Sequence, residues 1–155
     1  MIEDLRMATK GSIVLLHTCA HNPTGVDPSE EQWNEIAQVC KANNLYPFFD
    51  TAYQGFASGD LDKDAYSLRL FLKMGFEMVI AQSFAKILGL YGERVGALHF
   101  VQGDKSTIEN MISNLKIIIR CNYSSPPRHG ARIAALIFNQ PELRKQWQDE
   151  LLKVT

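Results

Sequence analysis

Hydrophobic positions change their period several times along the chain. "SIVLLH" (12–17) is a short, unbroken apolar run and reads as a buried strand. It empties into "CAHNPTGVDP", where Asn-Pro, Gly and Asp-Pro mark a loop. In "PSEEQWNEIAQVCKANN" the period becomes helical: Trp33, Ile36, Ala37 and Cys40 fall at i, i+3, i+4 and i+7. Ser29 and Gln32 have capping-box spacing at its start. "LYPFFD" (45–50) is a second strand-like run, and residues 64–74 read as a helix that starts at Asp64 and stops at Gly75. "FEMVIAQS" (76–83) and "VGALHFV" (95–101) predict a third and a fourth strand. From about Ser106 the text is helical, with Ile108, Met111, Ile112, Leu115 and Ile119 in one stripe. "SSPP" interrupts it, and two more helices are predicted from about His129 and from Pro141, where proline suits a first turn.

Alternating strands and helices predict an α/β fold, an open and mostly parallel sheet with helices on both faces. In such sheets ligands bind beyond the carboxyl ends of the strands. Asn22 follows the first strand, Asp50 ends the second, and Ser83 and Lys86 follow the third. These residues are expected to converge at one edge of the sheet.

Length and charge narrow the classes of function. A chain of 155 residues is the size of one domain, and its 46% hydrophobic content is enough for a core. A net charge of −1 does not point to nucleic acid or to an anionic membrane surface. No apolar run reaches membrane-spanning length, and "MIEDLRMATKG" has no signal-peptide pattern. Cys19, Cys40 and Cys121 are odd in number and scattered, which suits free thiols in the cytosol. "HTCAH" gathers His17, Cys19 and His21, but the spacing fits no standard zinc pattern, so no metal is expected.

The chemistry centres on Lys86, in the sparsely charged stretch "SFAKILGLYGER". Taken alone, a loop lysine is a solvated side chain. In an apolar setting or near another cation it becomes a nucleophilic amine able to form Schiff bases with carbonyls, including that of pyridoxal phosphate. Asp50 follows a run of aromatic residues, and an aspartate facing a pyridine nitrogen keeps that nitrogen protonated. Taken alone it is a turn or capping acid. Tyr53 and Asn22 have the groups to hydrogen-bond a ring oxygen, although a single tyrosine reads as packing and an Asn-Pro as turn chemistry. Ser83 and Arg94 could hold a phosphate, by hydroxyl and by guanidinium fork.

In this order, "HNPTGVDP", "FFDTAYQGFASGD", "QSFAKILGLYGERVGAL" and "YSSPPRHGARI" closely resemble the aspartate aminotransferases, fold-type I enzymes dependent on pyridoxal phosphate, their cytosolic animal form most of all. The resemblance runs over essentially the whole chain. It implies that Lys86 carries the cofactor as a Schiff base and shuttles a proton. It implies that Asp50 pairs with the ring nitrogen, that Asn22 and Tyr53 bind the ring oxygen, and that Ser83 and Arg94 bind phosphate. Arg120, in "IIRCNYSSPP", matches an arginine that enters the neighbouring subunit's site and binds the substrate's distal carboxylate. The implied reaction is transamination of aspartate and glutamate with 2-oxoglutarate and oxaloacetate, in a cytoplasmic homodimer with shared sites.

Three departures qualify the match. Phe84 stands where the family usually has tyrosine, and Ser125 where it usually has asparagine, which suggests a diverged paralogue. The third concerns extent: residues 1–155 correspond to the central part of the cofactor-binding large domain. The resemblance places outside it the glycine-containing phosphate loop, the aromatic residue stacked on the ring, a partner-subunit tyrosine, the small domain, and the arginine that holds the α-carboxylate. Positioning is a large share of catalysis, so the isolated chain is expected to be inactive or nearly so. The alternatives are a non-catalytic truncated isoform or pseudoenzyme pairing with a full-length partner, and a decarboxylase or lyase using the same cofactor; Arg120 weighs against the second.

Overall fold

A computed structural model describes residues 1–154. Four strands form one sheet in the order β1 (Ile13–His17), β2 (Tyr46–Thr51), β3 (Met78–Ser83), β4 (Gly96–Val101). The first two pairings are parallel and the third is antiparallel. The α/β class and the mostly parallel sheet hold, with β4 the one antiparallel strand. The helices are α1 (Ile2–Met7), α2 (Glu30–Ala42), α3 (Leu61–Asp64), α4 (Tyr66–Lys73), α5 (Lys105–Asn122), α6 (His129–Asn139) and α7 (Pro141–Leu151).

Helix α2 buries the face that its period predicts: Trp33, Ile36, Ala37 and Cys40 are all in the core. Its capping box is formed, with Gln32 N–H donating to Ser29 Oγ and Ser29 N–H donating to Gln32 Oε1. Against α2 pack Leu16, Phe49 and Met78 from the sheet and Phe71 from α4. Phe49 is the centre of an aromatic cluster, with ring centroids 5.1 Å from Phe71 and 6.2 Å from Trp33. The edge-on approach of Phe49 to Phe71 is a favourable quadrupole arrangement.

Asp64 is not a helix start. It is the last residue of α3, it is buried, and its carboxylate accepts from Gly55 N, Ala57 N and Ser58 Oγ. Asp60 is the cap instead, accepting from Asp62 N and Lys63 N, and these two N–H groups hold its carboxyl below the usual range. Asp64 is drawn inward because the Gly55–Ser58 turn folds over it, a contact that helical spacing cannot report.

The second sheet face is partly bare, as expected of an incomplete large domain. Ile13 and Leu15 on β1 are 69% and 62% exposed. No residue of α5 is fully buried; Ile108, Met111, Leu115 and Ile119 are half-covered, while Ile112, Ile117 and Ile118 are exposed. Alternating strand residues point to opposite faces, so only one side of β1 has a helix to bury it.

The thiols divide in the same way. Burial pushes Cys19 up to about 12, with the charges of Asp64 and Asp27 adding to it, and burial alone pushes Cys40 up to about 11. Cys121 is exposed. The thiolate is the reactive form, and at pH 8 a thiol of pKa about 12 is ionised in only about one molecule in ten thousand. Titration with Ellman's reagent at pH 8 is therefore expected to modify Cys121 promptly, and Cys19 and Cys40 only after denaturation. Prompt modification of all three would contradict this packing.

Candidate functional site

The strand ends position the candidate residues. Asp50 is paired with His17 on one side and Ala81 on the other. Its carbonyl also accepts from Thr18 N at 3.1 Å, which extends the ladder past β1. Beneath it, on the core side, the Thr18 and Thr51 hydroxyls are 2.5 Å apart and buried. The backbone around Asp50 is thus held from both sides, while its half-buried side chain looks into a cleft on the open sheet face. That cleft, about 570 Å³, is lined by Asp50, Ala81, Ser83, Arg94, Tyr123 and Pro126 among others. Among the described residues the Asp50 carboxylate has no ion pair or hydrogen bond. A half-buried carboxylate without a partner is costly unless a ligand supplies one.

Ser83 ends β3, opposite Gly96 of β4. A Cβ on Gly96 would lie 2.3 Å from the Gln82 carbonyl oxygen, so only glycine lets the two strands close here. Ser83 Oγ accepts from Ala85 N at 3.2 Å, which leaves its own proton free for donation. Arg94 adopts a left-handed backbone, φ 50°, and its exposed guanidinium donates to the Tyr91 carbonyl at 3.2 Å. That one bond uses a single donor of the fork.

Lys86 lies in the turn that follows β3, fixed by Gly89 N donating to the Lys86 carbonyl at 3.0 Å. Its ammonium sits over the Tyr53 ring, 5.1 Å from the centroid, and has no carboxylate partner among the described residues. The two loops are further tied by Gln82 Nε2 donating to Gln54 Oε1 at 3.0 Å. Asp50, Ser83 and Arg94 therefore share one cleft, and Lys86 and Tyr53 meet each other at the ends of the same two strands.

The other two predicted residues are exposed and make contacts of their own. Asn22 is exposed in the loop after β1, its N–H donating to His17 Nδ1 at 3.3 Å. Arg120 is exposed near the end of α5, where its guanidinium meets Ser124 Oγ at 3.4 Å. No metal-holding cluster exists among the described residues, and His17 and His21 instead pack ring to ring at 4.7 Å. A somewhat larger cavity, about 620 Å³, lies between α1, α2 and the loop after β1. Its polar groups are already engaged: Asp27 accepts from Ala20 N and His21 N, and His21 Nδ1 meets Thr24 Oγ1. The cleft holding Asp50 is the smaller space but carries the unsatisfied chemistry.

Two residues escaped the sequence reading. Trp147 Nε1 donates to the Ile87 carbonyl at 2.7 Å, and Leu151 packs on Gly55. Neither has a local pattern that would reveal it, because each contact spans 60 residues or more.

The profile of the family "aminotransferase class I and II" matches residues 1–153. The chain belongs to this family. A cytoplasmic aspartate aminotransferase from Dictyostelium discoideum is 57% identical over the whole chain, which covers 35% of that relative. A mitochondrial aspartate aminotransferase from Gallus gallus is 55% identical over 97% of the chain and 36% of its own length. Among solved structures, an aromatic-amino-acid aminotransferase from Burkholderia pseudomallei, covalently bound to pyridoxal phosphate, superimposes with a TM-score of 0.95 at 44% identity, covering 99% of this chain and 38% of that one. The chain spans about a third of the length of the curated relatives it matches.

Proposed function

We propose that this chain contributes the cofactor-binding part of a pyridoxal-phosphate-dependent transaminase acting on aspartate and glutamate and their 2-oxo acids. The observation that carries the reading is the unpartnered Asp50 carboxylate in a cleft shared with Ser83 and Arg94, with the Lys86 amine held over Tyr53 in the turns that follow the same two strands. A carboxylate, a hydroxyl, a guanidinium and an amine are the donor set that a phosphorylated pyridine aldehyde requires. When bound, pyridoxal phosphate supplies an aldehyde for an amine and a ring that withdraws electrons from the substrate's α-carbon.

The residues divide the tasks in this reading. Lys86 Nζ would hold the cofactor covalently and, as the free amine, would carry the proton to and from the substrate's α-carbon. Asp50 keeps the ring nitrogen protonated. Tyr53 and Asn22 hydrogen-bond the ring oxygen; Asn22 N–H is bonded to His17, the strand partner of Asp50. Ser83 Oγ and the Arg94 fork hold the phosphate. Arg120, exposed on α5, serves the neighbouring copy of a homodimer by binding the distal carboxylate of a dicarboxylic substrate. A cytoplasmic setting accords with three free thiols.

A second reading is favoured by the bare second face of the sheet and by α5, which buries nothing fully. In it the chain is a non-catalytic isoform that pairs with a full-length partner. One titration separates the two. Adding pyridoxal phosphate to the purified chain is expected to give a saturable absorption band distinct from that of the free aldehyde, and borohydride is expected to fix the label at Lys86. Labelling spread over surface lysines, with no saturable band, would refute the cofactor reading. Aspartate–oxoglutarate exchange is expected to be negligible for the chain alone.

A further inference from the structure

The two loops that carry Lys86 and Tyr53 are both gripped by one helix. Trp147 and Leu151 of α7 are four residues apart and so lie on one face, one above the other. Trp147 Nε1 donates to the carbonyl of Ile87, the residue after Lys86, at 2.7 Å. Its ring packs edge-on against Phe138 at 5.5 Å, and Phe138 packs edge-on against Phe84 at 5.4 Å, two residues before Lys86. The Lys86 turn is thus held on both sides. One helical turn further on, Leu151 is buried against Gly55, two residues after Tyr53. Gly55 has φ +96°, and a Cβ there would lie 2.3 Å from Leu151 Cδ2 and 3.0 Å from Leu61 Cδ2. The helix can come this close only because the position is glycine.

From these contacts we infer that Trp147 and Leu151 are positioning residues: α7 is a rigid bridge that fixes Lys86 against Tyr53. Neither side chain touches the reacting atoms. Strand pairing, the Gln82–Gln54 bond and the grip of Asp64 on Gly55 N and Ala57 N already hold the start of each turn; α7 adds a contact just beyond Lys86 and just beyond Tyr53. A single helix touching both turns couples their positions, because the rise over four helical residues is constant at about 6 Å. The Lys86 ammonium over the Tyr53 ring is the geometry so fixed. The inference deepens the proposed function, since it rests on Lys86 being the working amine, but its first test needs no cofactor.

Nuclear magnetic resonance of the ligand-free chain reads the geometry directly. A lysine held over an aromatic face has its ε-methylene protons displaced upfield by the ring current; the resonance is assigned by its absence in Lys86→Ala. Trp147→Phe keeps a ring in the aromatic stack but removes the indole donor. Leu151→Met conserves volume but moves the branched methyls off Gly55. Both variants are expected to lose most of the upfield displacement of Lys86 while retaining the wild-type far-ultraviolet spectrum. Borohydride fixation of pyridoxal phosphate at Lys86 is expected to slow about two- to tenfold in Trp147→Phe, the scale of one net hydrogen bond. An undisplaced Lys86 signal in the wild-type chain, or a displacement unchanged in a folded variant, overturns the inference. If the displacement is present and sensitive to both substitutions while the chain binds no pyridoxal phosphate, the cofactor reading falls and the positioning role of α7 stands.

Discussion

Lys86→Ala is expected to abolish the saturable pyridoxal phosphate band and the borohydride-fixed label, with no loss of fold. The expectation follows from the chemistry of the position. A Schiff base needs an amine, and alanine has none to offer. The structural cost is small because the Lys86 side chain makes one ring contact, with Tyr53, and the turn is held by backbone bonds that alanine keeps. An exposed cation–π contact contributes only about 0.5–1 kcal/mol. Binding without the covalent link is expected to persist weakly through Asp50, Ser83 and Arg94, and a competition assay with a phosphorylated pyridine lacking the aldehyde would detect it. If Lys86→Ala retains the band, another lysine is the point of attachment and the assignment of the cleft fails. In a chain that spans a third of its relatives' length, this experiment is cleaner than turnover. A missing rate has many causes, whereas a missing adduct at one named amine has few.

How much of this was legible beforehand depended on the range of each interaction. The α2 face, its capping box and the four strands were readable because a period of 3.6, short apolar runs and the Ser29–Gln32 spacing are local. Asp50 and Ser83 were readable through the rule that ligands sit beyond strand ends, and Arg94 as a guanidinium able to hold a phosphate; all three line one cleft. Strand direction was not readable, because an apolar run carries no sign. The connection between β3 and β4 lacks the full helix that a parallel crossover uses, and β4 returns antiparallel. The burial of Asp64 depends on the fold of the Gly55 turn, and the Trp147–Ile87 bond on the docking of α7. Such contacts close only after the chain has folded. The bareness of the second face was readable only from the partial extent of the resemblance, since the apolar stripe of α5 reads the same whether or not anything covers it.

Phe49→Ala is expected to unfold the chain, or nearly so, and to remove cofactor binding with it, although Phe49 faces away from the cleft. Phe49 has no exposed surface and meets Trp33 and Phe71 ring to ring. Replacing a fully buried phenylalanine by alanine costs about 3–5 kcal/mol, from lost transfer energy and the cavity left behind. Domains of this size have only about 5–15 kcal/mol in total, and this sheet, bare on one face, draws its burial from a single side. The link to the site is covalent: Phe49 precedes Asp50, and the alternation of β2 that buries one presents the other. Loosening β2 therefore displaces the carboxylate as it weakens the core. Phe49→Leu, which keeps most of the volume, is expected to cost less and to retain the pyridoxal phosphate band. Urea melts of the three proteins, followed by circular dichroism and by the band, would show the order wild type, leucine, alanine. A Phe49→Ala chain with a wild-type midpoint would mean that the core lies elsewhere than between α2, α4 and this face of the sheet.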